Sequence, residues 1–123
     1  MPENPPQTVS VVDDEPVIAS TLAAILNASG FQATAFTSPE DAIKAAEREG
    51  PSVLISDVVM PGMNGVDLAI HLRSLYPKCK VLLFSGQAAT REIIDLAKNA
   101  GHDFELLAKP IHPKDLLAAI RRA

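Results

Sequence analysis

Two adjacent acids, Asp13-Asp14, follow directly on an apolar run; a third acid, Asp57, follows another. A hydroxyl, Ser85, closes a third such run, and an ammonium, Lys109, followed by Pro110, closes a fourth. Ligands of an open α/β sheet bind in the crevice outside the carboxyl ends of the strands. If the apolar runs are strands of one parallel sheet, all of these groups reach the same edge. Like charges about 4 Å apart repel by roughly 4 kcal/mol at an effective dielectric near 20, so three gathered carboxylates need a cation. A few hard oxygen ligands suit Mg²⁺, which keeps several waters and is usually bound by one or two carboxylates together with phosphate oxygens. Lys109 would offset further negative charge. A lone acid pair after a strand is more often a turn or a helix cap; three strand ends acting together favour a site.

The elements that must carry these residues can be read from periodicity. The strands are expected at Thr8 to Val12, Phe31 to Phe36, Ser52 to Ser56, Lys80 to Phe84 and Phe104 to Ala108. Between them run helical patterns. The first carries Val17, Ile18, Leu22, Ile25 and Leu26 and stops at Gly30; the second opens with Ser38, Pro39 and Asp41 as cap, first-turn proline and acid and ends near Glu49. The third carries Val66, Leu68, Ile70, Leu72 and Leu75 after a loop with Pro61, Gly62 and Gly65; the fourth runs from Thr90 to Asn99 with Gly101 as its cap, and the fifth from Pro113 to Arg122. Alternating strand and helix predict a (βα)5 chain with a doubly wound parallel sheet. A closed eight-unit barrel would need about 250 residues. Gly62 and Gly65 are expected to permit positive φ, and Pro61 presets its own φ.

The 123 residues suit one domain, and 47% hydrophobic with 21% charged residues is ordinary globular composition. A net charge of −4 with scattered basic residues gives no footprint for direct nucleic-acid binding. No run approaches the roughly 18 apolar residues of a membrane span. Cys79, the single cysteine, excludes an intrachain disulfide and makes a reducing cytoplasm the expected location. Residues 1–7, with three prolines, read as a flexible lead-in, and 8–123 as the domain.

The chain from Thr8 onward resembles the receiver domains of two-component response regulators. The resemblance rests on Val11-Val12-Asp13-Asp14-Glu15, on Leu54-Ile55-Ser56-Asp57-Val58-Val59-Met60-Pro61-Gly62-Met63-Asn64-Gly65, on Leu82-Leu83-Phe84-Ser85-Gly86 and on Leu107-Ala108-Lys109-Pro110. Each motif is weak alone; their order and spacing are specific. The resemblance implies a flavodoxin-like α/β fold with strand order 2-1-3-4-5. It implies that Asp57 is the phosphoacceptor, that Asp14 binds Mg²⁺ directly and Asp13 mostly through water, and that the carbonyl of Val59 is a further metal ligand. Lys109 would stabilise charge, Val58 and Gly86 would bind phosphate, and Ser85 would move as a sensor. A cis peptide before Pro110 is implied too, against a base rate of about 5–6% for X-Pro bonds. The phosphodonor would be a histidine kinase or a histidine phosphotransfer protein. The last two βα units would dock an effector domain or partner, or form a homodimer. The domain would not be a turnover enzyme beyond accepting, and slowly losing, its own phosphoryl group.

Two features depart from the family. The aromatic switch residue three before the lysine is Leu106, while Phe104 is expected in the core. Val59, two after Asp57, offers no side-chain hydrogen bond to a water; Gln87 could still place one. His71, His102 and His112 are dispersed and read as solvated or capping residues, and Cys79 as a packing residue. An aspartate-nucleophile phosphohydrolase would carry an acid at Val59's position and a cap domain. A flavin module would carry hydroxyls after the first strand, and a degenerate receiver would lack an acid or the lysine.

Overall fold

The computed structural model describes residues 7–86, 90–102, 104–109 and 111–121. Its elements are β1 (Thr8–Val12), α1 (Pro16–Ala28), β2 (Gln32–Phe36), α2 (Pro39–Arg48), β3 (Val53–Asp57), α3 (Gly65–Leu75), β4 (Lys80–Ser85), α4 (Thr90–Asn99), β5 (Glu105–Ala108) and α5 (Pro113–Arg121). The five parallel strands lie in the order β2-β1-β3-β4-β5. This is the expected doubly wound sheet.

Strand alternation divides the core into two layers. Val9, Val11, Val53, Ile55, Leu82 and Phe84 face one side, where Leu22 and Leu26 of α1 and Leu116 and Ile120 of α5 cover them. Val12, Leu54, Val81 and Leu83 face the other, against Ala42 and Ala46 of α2, Leu68 and Leu72 of α3 and Ile94 of α4. β3 is buried along its whole length, which is why its sequence is an unbroken apolar run until Ser56.

Local signals set the helix starts. Ser38 Oγ accepts from the Asp41 N–H at 3.2 Å with Pro39 in the first turn, and Asn64 Oδ1 accepts from the Asp67 N–H at 2.8 Å. His112 Nδ1 accepts from the Lys114 N–H at 3.1 Å at the start of α5. Gly30 and Gly101 end α1 and α4 with φ of 96° each. Cys79 is buried in the core, and burial pushes its thiol up. Phe104 is buried as expected, with the Arg73 guanidinium 5.2 Å from its ring centroid and His102 stacked at 6.0 Å. Leu106, half-buried, packs against the same layer.

Element bounds differ from the expected ones by a residue at several ends, and two of these matter. β3 runs one residue further, to Asp57, which pairs in register with Phe84; β4 extends to Ser85, which pairs with Ala108. Both site residues are thus held by the ladder itself. Gly65 corrects a second expectation. Gly62 does adopt a positive φ of 77°, but Gly65 does not. A Cβ on Gly65 would lie 2.1 Å from the backbone oxygen of Asp57, so close approach and not backbone handedness requires glycine there. Pro110, Gln87, Arg122 and most of the lead-in lie outside the described residues. No helix among the described residues is long and apolar enough to cross a membrane.

Candidate phosphoacceptor site

The carboxyl ends of β1, β3 and β4 and the residue after β5 meet at one edge. There Asp14, Glu15, Asp57, Val59, Ser85, Gly86 and Lys109 line a cleft of about 390 Å³. Asp13 lies beneath it, fully buried, and Asp57 is nearly so, while Asp14 is exposed. One carboxylate oxygen from each of Asp13, Asp14 and Asp57 falls within 4.8 Å of the others. Lys109 Nζ lies 3.2 Å from Asp57 Oδ2 and 3.4 Å from Asp13 Oδ2. Its backbone N–H donates to the Ser85 carbonyl at 3.2 Å, and its ammonium lies 5.1 Å from the centroid of the Phe84 ring.

Burial raises the pKa of Asp13; the N–H of Glu15, donating to Oδ1 at 2.8 Å, and the charge of Lys109 oppose it, and the Asp57 charge adds to the rise. Burial works to lower the Lys109 pKa. The hydrogen bond to Asp57 and the charges of Asp57 and Asp13 outweigh it, and the ammonium titrates above its ordinary range. One lysine against three carboxylates leaves net negative charge in a mostly buried setting. A hard divalent cation would compensate it, and the all-oxygen donor set fits Mg²⁺. Asp13, Asp14 and Asp57, with the Val59 carbonyl, are the residues that would hold it.

Most sequence-predicted residues converge here. Val58 does not. Its N–H donates to the Phe84 carbonyl at 3.1 Å, its carbonyl accepts from the Gly65 N–H at 2.8 Å, and its side chain is buried in the core. It has no free group for phosphate, and the expectation is corrected. The nearby N–H that reaches the carboxylate is that of Val59, 3.4 Å from Asp57 Oδ1. Leu106 stands apart from the cleft, in the core layer. Sequence reasoning also missed the packing of Lys109 on Phe84 and the Glu15 N–H that fixes Asp13. The first follows from Phe84 pairing with Asp57 in register; the second is a short-range acid-to-backbone turn, an ordinary habit of aspartate.

A parallel sheet of this order with acids, hydroxyl and lysine at one edge defines the receiver class of α/β domain. Residues 9–121 match the family described as response regulator receiver domain, and the chain belongs to it. The chain is 35% identical over 116 residues to the probable transcriptional regulatory protein TcrX of Mycobacterium tuberculosis, covering 94% of this chain and 49% of that relative. It is 34% identical to the DNA-binding transcriptional regulator NtrC of Proteus hauseri, covering 94% of this chain and 24% of that one. The chain therefore spans half or less of the length of these two relatives. Among solved structures, the chemotaxis protein CheY4 of Vibrio cholerae superposes with a TM-score of 0.84 at 26% identity, covering 95% of this chain and 98% of that one.

Proposed function

We propose that this domain accepts a phosphoryl group on Asp57 in a two-component phosphorelay and passes the change to an effector. The observation that carries the reading is the setting of the Asp57 carboxylate. One oxygen pairs with Lys109 at 3.2 Å, the other lies 3.4 Å from the Val59 N–H, and the two acids that follow β1 bring carboxylate oxygens within 4.8 Å, Asp14 from the cleft lining and Asp13 from beneath it.

An Asp57 oxygen would attack phosphorus in line, forming a P–O bond. The donor's P–N bond, in a phosphohistidine, or its P–O bond, in a small acyl phosphate, breaks, and the leaving group departs with the electron pair. Mg²⁺, when bound, supplies charge neutralisation at the transferring phosphoryl oxygens. Lys109 holds a second positive charge against them without giving up its proton, since its pKa is raised. Asp13, fixed by the Glu15 N–H, keeps its carboxylate aimed at the same point. Positioning and electrostatics then do most of the catalysis. The added charge would draw the Ser85 hydroxyl and Gly86 N–H inward and so bias the face of α4, β5 and α5 toward a partner, an effector domain or a second copy. Donation by a histidine kinase or phosphotransfer protein fits a cytoplasmic setting.

The test is intact mass after incubation with Mg²⁺ and acetyl phosphate. One added phosphoryl group on the natural chain and none on Asp57→Asn are expected. No adduct on the natural chain, or an undiminished adduct on the variant, refutes the reading.

A further inference from the structure

We propose that Ser56 is a positioning residue for the chemistry at Asp57, a reading that rests on Asp57 being the phosphoacceptor. Ser56 lies in the central strand with its side chain on the sheet face opposite Asp57. It is fully buried between Val12 and Leu83, its fully buried partners in the ladder. β3 is otherwise apolar down to the acid, and a hydroxyl taken from water into such a layer is costly unless it is hydrogen-bonded. Its bond is to the phosphoacceptor's own backbone: Ser56 Oγ donates to the Asp57 carbonyl at 2.9 Å.

The same carbonyl is pressed by Gly65 from α3. A Cβ placed on Gly65 would meet Asp57 O at 2.1 Å and Ser56 Oγ at 2.9 Å, so hydroxyl, carbonyl and glycine Cα converge on one point. The other side of the same peptide is tied by the Val58 N–H donating to the Phe84 carbonyl, and the next peptide by the Val58 carbonyl accepting from the Gly65 N–H. Ser56 supplies the side-chain hydrogen bond in this clamp. By holding the Asp57–Val58 peptide from the far face, it sets the direction of the Asp57 carboxylate. Through Val58 it also constrains the adjoining peptide, held by the Gly65 N–H, which carries the Val59 N–H and leads to the Val59 carbonyl that would face a metal. Hydroxyl loss should leave the fold while loosening this aim.

Ser10 is a matched comparison. It is also buried, sits on the same sheet face of the neighbouring strand in register with Leu54, and borders a separate cleft with Thr34 and Arg48, away from the loop after β3. The experiment compares Ser56→Ala with Ser10→Ala in two measurements. The first is the rate of phosphoryl uptake against acetyl phosphate concentration at saturating Mg²⁺, read by intact mass. The second is Mg²⁺ affinity, read from amide shifts in a metal titration. Loss of one aligned hydrogen bond corresponds to about tenfold in rate. Ser56→Ala is expected to lose about that in maximal rate, with little change in half-saturating acetyl phosphate, and to bind Mg²⁺ severalfold more weakly; Ser10→Ala should match the natural chain in both. Natural rate and affinity in Ser56→Ala, equal losses in Ser10→Ala, or a loss confined to half-saturation would overturn the proposal. If the natural chain takes up no phosphoryl group, the phosphoacceptor reading falls. The Mg²⁺ titration then decides Ser56 alone, unchanged affinity counting against it. Should Ser56→Ala not fold, Ser56→Cys, with a weak donor of similar shape, takes its place under the same criteria.

Discussion

Replacing Gly65 with alanine sets two known effects against each other. Alanine favours a helix over glycine by up to about 1 kcal/mol, and Gly65 opens α3 without a positive φ, so propensity alone predicts a more stable protein. Packing predicts the reverse. The new Cβ would fall 2.1 Å from the Asp57 carbonyl oxygen and 3.0 Å from its carbon, both backbone atoms. Relief requires α3 or the end of β3 to move by about an ångström, and overpacking of this kind costs about 1–3 kcal/mol. The net expectation is a loss of about 1–2 kcal/mol, a sizeable part of the 5–15 kcal/mol typical of a domain. Urea denaturation reads it directly as a lower midpoint at unchanged slope. The forced shift falls on the Asp57–Val58 peptide, beside the proposed phosphoacceptor carboxylate, and misplacement of about 1 Å can cost about a hundredfold in rate, so uptake from acetyl phosphate should fall more steeply than stability. Gly86→Ala is the steric contrast: its Cβ would sit 3.6 Å from Lys109 Cβ, an ordinary contact, and its midpoint should hold or rise. A Gly65→Ala protein at least as stable as the natural chain and phosphorylated at its rate would refute the close-approach argument.

Metal should stabilise the fold, because a divalent ion would bind a preformed cluster of carboxylates; at a hundredfold excess over its Kd the gain would be about 2.7 kcal/mol, and an unmoved urea midpoint in Mg²⁺ would count against the site. The pH dependence without metal has a defined sign. The Asp13 pKa is raised by folding, so its contribution is fully present below the unfolded pKa and is lost as pH rises through the folded one. Asp13→Asn should therefore gain on the natural chain as pH goes from about 3.5 to 7; a stability difference, variant minus natural, that stays constant or falls contradicts this. Lys109, also raised, keeps its contribution through neutrality and loses it only above the ordinary lysine range, which Lys109→Met should abolish in alkaline denaturation series. Finally, half-exposed Val59 at the cleft mouth offers no side-chain hydrogen bond to an attacking water. The purified phosphoprotein should lose its adduct slowly; loss within seconds, followed by mass, would rule that out.

The strand and helix order was legible in the sequence because each signal is local. The apolar runs from Thr8, Ser52 and Lys80, the Ser38-Pro39-Asp41 cap and the Gly30 and Gly101 stops need only their neighbours to be read. The gathering of Asp13, Asp14, Asp57, Ser85 and Lys109 at one edge followed as well, since parallel strands joined by helices end on the same side. Distances and hydrogen-bond commitments did not follow. That the Val58 N–H is spent on Phe84 depends on register between β3 and β4, and that Gly65 is glycine for want of room depends on where α3 docks. The Ser56 hydroxyl looked like one more strand residue until Gly65 and the Asp57 carbonyl were brought against it. Residue type and order determined which groups could do the chemistry; packing between segments distant in sequence decided which of their atoms are free to do it.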